Sequence, residues 1–295
     1  MTSKHAFFIF RLSLATLVVV LVTIWIIDNF QSIRTGLSMM SIWQLVTSYF
    51  LVIVGLILLK QVWGRVLSGY GWPLSGKQAS KVFYTGQIGK YIPGSVWAIA
   101  YQAALARKYM IPVRTTTASG LILIYLLFVS SFALLGFFSV FGQYPVIINW
   151  DGLPFIFFLV AAIGVNPRVL SFSAKSLAKS RFAFDKPWRA SIIIMSKLLL
   201  VWLCFGSAIA TLSPVAGLPP TLNLLGDSIF YFSLAFISGL ALPIAPSGIG
   251  VREAVLVIGM TPGMGLEAAL LTAILARLIH TLADLSLAAY SAVFD

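Results

Sequence analysis

Apolar runs, parted by short polar or basic segments, fill most of the 295-residue chain. A helix of about 20 apolar residues crosses the hydrocarbon core of a bilayer, so each run predicts a span. Residues 7–27 form the first, 42–64 the second and 117–141 the third. The fourth, 153–165, is short and is stopped by Asn166-Pro167; extension back through Ile147 gives it a full crossing. Residues 190–212 are the fifth, 228–242 the sixth, and 266–294 the last, after a break expected at Thr261-Pro262-Gly263. The first run is long enough to span, and the residues after it make a poor cleavage site, so it reads as a retained signal anchor.

Residues 66–113 break the pattern. Segment 75–91 reads as an interfacial amphipathic helix, with Lys77, Lys81 and Thr85 at i, i+4, i+8. Segment 94–110 reads as a short helix whose Ala100, Ala103, Ala104 and Ala106 permit close backbone packing. Basic residues flank both ends, which suits a re-entrant hairpin. The fold expected is an all-α, polytopic membrane helix bundle with about six to eight transmembrane segments. It has two broken or re-entrant segments, and its loose halves, 1–141 and 150–295 of a single integral domain, are compatible with an inverted repeat.

Composition agrees. The chain is 60% hydrophobic and 9% charged, too little polar surface for a soluble protein of this length. Its net charge of +12 invites a nucleic-acid reading, but position argues against one. Lys4 precedes and Arg11 begins the first span, eight basic residues lie in 60–114 and six in 168–189. The segments 28–41, 143–151 and 213–226, expected to be external loops, hold only Arg34. Positive charge gathers on the cytoplasmic side, so the chain is expected to be multi-pass in the cell membrane with a cytoplasmic N-terminus. The side of the C-terminus depends on whether 228–260 dips in and returns. The most basic loop, 168–189, suits an amphipathic surface segment near anionic headgroups. Lys197 either snorkels to the cytoplasmic face or faces a cavity. One cysteine, Cys204, and two histidines, His5 and His280, leave no basis for an internal disulfide or a metal cluster, and no cofactor is expected.

Candidate chemistry lies in two interrupted stretches. LPIAPSGIGVREAVL, 242–256, places Pro246, Gly248, Gly250, Arg252 and Glu253 deep in an apolar region. GQIGKYIPGSVW, 86–97, carries Lys90, Pro93 and Gly94. Broken backbone survives in a membrane only where it is buried in protein or lines a cavity. Charges there are expensive and usually functional. Such breaks expose helix N-termini, which favour anions such as phosphate headgroups. On the last helix Arg277, His280 and Asp284 share a face. Glu253 with Arg277, or Arg252 with Asp284, are sensible partners, either as an ion-pair network holding helices together or as a cavity for a charged headgroup.

GKYIPGSVWAIAYQAALARKYMIP, LPIAPSGIGVREAVL and LLTAILARLIHTLADL together resemble the membrane region of lysylphosphatidylglycerol synthases, the flippase-like integral membrane family. The likeness covers roughly residues 42–292. It implies lipid translocation, or a role beside glycolipid synthesis. It also implies that Pro93, Gly94, Pro246, Gly248, Gly250, Glu253 and Arg277 line or shape the pathway; the charge pattern itself adds Lys90, Arg252, His280 and Asp284 as candidates. The soluble aminoacyl-transfer domain of the full synthases is not expected here, nor is ATP use, since no Walker-type loop is present. Three functions follow in order: a transporter for an anionic, aminoacylated or polyisoprenyl-phosphate-linked lipid; a non-catalytic accessory subunit for glycosyltransferases; and a membrane glycosyltransferase. The expected partners are membrane phospholipids or lipid-linked sugars.

Overall fold

A computed structural model describes residues 27, 30–91, 97–141, 152–219, 221–241 and 250–293. Regular structure among them is entirely helical. The helices are α1 (Phe30–Ser38), α2 (Ile42–Gly69), α3 (Gly76–Gln87), α4 (Trp97–Ala106), α5 (Val113–Phe141), α6 (Leu153–Val165), α7 (Pro167–Ala178), α8 (Pro187–Ala210), α9 (Leu222–Ala241), α10 (Val251–Met264) and α11 (Leu266–Val293). Five of them, α2, α5, α8, α9 and α11, are long and apolar enough to cross a membrane, and the bent pair α6–α7 makes six. The all-α membrane bundle read from the apolar runs is therefore what the chain forms. Apart from Ile27, the expected span 7–27 lies outside the described residues, as do Pro93, Gly94, Pro246 and Gly248.

Several boundaries differ from the expected ones for identifiable reasons. Residues 28–41, expected as a loop, contain α1, closed by Met39 N–H bonding to the Thr35 and Gly36 carbonyls. Asn166-Pro167 ends α6 and also starts α7. Pro167 occupies the first turn, where its missing N–H costs nothing, and Asn166 Oδ1 accepts the Arg168 N–H at 2.9 Å. The two helices meet at 66°. The break expected at Thr261–Gly263 falls instead at Gly265. Pro262 is tolerated in the last turn of α10, and Gly265 at φ +81° supplies a turn that a side chain would strain.

The chain packs as two compact units, each drawing on both of its halves. One comprises the described parts of Met1–Val52, Lys90–Trp97 and Phe205–Ala283; the other, those of Ile53–Gly89, Ala98–Cys204 and Asp284–Asp295. In the second unit, Ser75 and Gln78 form a reciprocal capping box that starts α3. The face Ala79, Val82, Phe83, Gly86 is buried, with Phe83 against Trp63 of α2 at 5.7 Å. The helix expected to lie at the interface thus turns its apolar side into protein. Lys60 Nζ donates to Ser80 Oγ at 3.1 Å, and Thr85 and Ser291 hydroxyls meet at 3.2 Å. Lys197, left open between solvent and cavity, donates to Gln61 Oε1 at 2.6 Å.

The two basic segments meet in this unit. Tyr70 Oη donates to the Ala174 carbonyl at 2.8 Å, and Ala183 N–H to the Gly69 carbonyl at 3.0 Å. On α7 Pro167, Leu170, Ala174 and Ala178 face inward, while Arg168 and Lys175 are exposed. The amphipathic surface segment expected at 168–189 is this helix.

In the first unit α9 and α10 form an antiparallel hairpin. Gly239 lies against Arg252, Gly259 against Tyr231, and Gly263 near Asp227. Helix α8 packs on α9 through Gly206, where a Cβ would come within 2.6 Å of the Ile229 Cα.

Two expectations test this packing. Gly206→Ala should lower stability by about 1–3 kcal/mol, since backbone atoms must separate. Gly64→Ala, whose Cβ meets nothing within 4 Å, should be neutral or stabilising. Thermal unfolding in detergent compares them; equal midpoints would refute the close α8–α9 contact. Burial pushes the Tyr70 phenol up to about 12 from 10.0. A raised folded value favours the native state fully below pH 10, and that contribution is lost as pH rises toward 12. Tyr70→Phe should cost about 1 kcal/mol at neutral pH and flatten the stability loss between pH 10 and 12; an unchanged alkaline limb would rule out this assignment.

Candidate functional site

Among the described residues of the first unit, the start of α10 brings charged side chains together with α11. Gly250, at φ +87°, caps α10, and its N–H donates to Glu253 Oε2 at 2.7 Å. This is the carboxylate half of a capping box; glycine has no side chain to supply the other half. The second carboxylate oxygen, Oε1, lies 3.5 Å from Arg277 Nη1 of α11. Both side chains are mostly buried, at 22% and 27% exposure for Arg277 and Glu253. The expected Glu253–Arg277 partnership therefore forms.

Arg252 takes a different path. Neighbouring residues on a helix point about 100° apart, and its guanidinium lies over the Phe236 ring at 3.9 Å. Its stem crosses α9 at Gly239, where a Cβ would come within 2.6 Å of Arg252 Cγ. Phe232, Phe236 and Gly239 stand at i, i+4, i+7 on α9 and form one stripe.

His280 sits one turn beyond Arg277. Its ring stacks on Phe232 at 5.2 Å and meets the edge of Phe205 at 5.0 Å. Nδ1 lies 2.9 Å from the Ala276 carbonyl. A carbonyl only accepts, so this hydrogen bond places the ring hydrogen on Nδ1.

Arg252, Glu253, Arg277 and His280 line a single cavity of about 40 Å³, with Phe232, Phe236 and Leu256 as apolar walls. That is room for about two or three waters. With His280 neutral, the lining carries one net positive charge. Arg252 adds its cation in the first turn of α10, beside the positive end of the helix dipole. An anion placed there gains from both arginines and from the helix N-terminus.

Of the remaining expected residues, Lys90 belongs to the same unit, its ammonium 5.5 Å from the ring centre of Tyr91. Asp284 is 4% exposed and belongs to the second unit. Phe232, Phe236 and Gly239 were not expected; their only signal is helical spacing within an apolar run. Among the described residues, no group of three His, Cys, Asp or Glu side chains could hold a metal ion.

No protein-family model, curated protein or solved structure matches this chain.

The double role of Glu253 separates two variants. Glu253→Gln keeps an acceptor for the Gly250 N–H and loses only the charge pairing. Glu253→Leu loses both and should cost about 1–2 kcal/mol more. Equal unfolding midpoints for the two variants would show that the cap contributes nothing.

Proposed function

We propose that this protein moves an anionic amphiphile, a phospholipid or a lipid-linked sugar phosphate, between the leaflets of the cell membrane. The observation that carries the reading is the placement of Arg252, Arg277 and Glu253 around one cavity at the start of a broken helix. Helix α10 has 14 residues, so its N-terminus stands about 21 Å along its axis from the Gly265 corner. Arg277, 11 residues into α11, stands about 17 Å from the same corner. Both distances reach near the middle of a hydrocarbon core of about 30 Å. Discontinuous helices whose N-termini meet an anion near the midplane are the recurrent binding arrangement of secondary transporters. The likeness of these segments to flippase-like membrane proteins supports the same reading.

The cavity at about 40 Å³ is smaller than a phosphate headgroup with its glycerol or sugar. Transport therefore requires the tip of α10 to part from α11, breaking the Glu253–Arg277 pair while the anion takes its place on the arginines. The two basic segments face the cytoplasm, with the N-terminus on that side. Met39, Val215 and Leu266 line one cavity of the first unit, which brings the start of α2, the end of α8 and the start of α11 to a common end. Helix α11 then runs away from that end for 28 residues, about 42 Å, and the C-terminus lies on the cytoplasmic side.

The test is leaflet exchange by the purified full chain in liposomes, using labelled phosphatidylglycerol and labelled lipid-linked sugars. Wild type should exceed empty liposomes, and Arg252→Gln should lower exchange about tenfold or more, the loss expected for one charge-assisted hydrogen bond. Exchange at the empty-liposome rate by the wild type refutes the transporter reading. Reporters placed after Pro145 and after Ser176 should appear outside and inside respectively; the reverse pattern overturns the orientation.

A further inference from the structure

The far end of α10 borders a second and much larger cavity, about 730 Å³, within the first unit. Small-molecule sites typically occupy about 300–1,000 Å³. Its walls come from α1, from the turn after α8 and from the corner at Gly265. Gly36 holds α1 close to that turn, since a Cβ there would stand 3.1 Å from the Val215 carbonyl oxygen.

The lining has a definite chemistry. Among the described residues that line it, Glu267 is the one charged side chain, with no lysine or arginine. The carboxylate is exposed and stands in the first turn of α11, beside the positive end of the helix dipole. Gln31 and Thr35 add neutral hydrogen-bonding groups on the facing wall, and Met39, Val215 and Leu271 supply apolar surface. Among the described lining residues a phosphate would meet a carboxylate and no cation. An ammonium on an apolar chain would find a counter-charge, acceptors for its remaining hydrogens and a surface for its hydrocarbon.

We infer that this cavity binds the primary amine of an amphiphile, with the ammonium against the Glu267 carboxylate and the chain along Met39 and Leu271. Such an amine reaches the site either as a lipid headgroup or as a free alkylamine. The site shares no residue with the arginine cavity and does not depend on transport of an anion.

The experiment uses the full chain in nanodiscs of phosphatidylglycerol. Octylamine and octanol are titrated calorimetrically, and phosphatidylethanolamine is added in a parallel arm with retained lipid counted by mass spectrometry. Octylamine should bind at least tenfold more tightly than octanol. Glu267→Gln should abolish that preference, and Thr35→Trp, which fills the cavity from its exposed rim, should remove binding of both. Arg252→Gln, in the other cavity, should leave octylamine binding intact. Selective retention of phosphatidylethanolamine that is lost in Glu267→Gln identifies the lipid as the source; octylamine binding without it identifies a free amine. Equal affinity for octanol, an undiminished preference in Glu267→Gln, loss of binding in Arg252→Gln, or binding of neither amine overturns the inference.

Discussion

The carboxylate of Glu253 divides its two oxygens between different problems. One accepts the Gly250 N–H, which the interrupted backbone leaves without a helical partner. The other meets Arg277 of α11. In an apolar environment an unpaired backbone donor and an unpaired guanidinium are each expensive, and an isolated carboxylate no less so. Placing all three within reach of one another offsets those costs together. It also fixes where α10 begins relative to α11, and so where Arg252 and the aromatic stripe of α9 converge.

Arg252 packs differently from its neighbour Glu253. It leaves the helix in a different direction from Glu253 and is received by an aromatic face and a glycine. The cluster thus sets the Glu253–Arg277 pair beside an arginine packed on an aromatic ring.

Much of this was legible in the residue pattern. Long apolar runs specify long helices because little else satisfies a backbone in hydrocarbon, and α2, α5, α8, α9 and α11 follow them closely. The Glu253–Arg277 pair was legible because opposite charges in apolar surroundings must find one another. Three features were not. Helix α1 is short and mixed in composition, so its nine residues carried no stronger signal than a loop. Pro262 marked a break that occurs three residues later, because a proline near the end of a helix removes one hydrogen bond while Gly265 alone supplies the required φ. The role of Gly239 depends on which residue faces it across α9 and α10, and a single chain read in order contains no record of that pairing. The buried face of α3 follows the helical period, but whether it meets lipid or protein is decided by the distant Trp63.

Gly265 joins α10 to α11 with no spare residue. A longer connection would absorb displacement of one helix as slack. Here a rotation at the corner is the available freedom on that side, and it acts with a long arm. A turn of about 15° at Gly265 moves the far end of a 21 Å helix by about 5 Å, comparable to one helical pitch. Small torsional changes at one glycine are thereby geared into large displacements at the arginines, and the cavity beside the corner occupies the pivot of that lever.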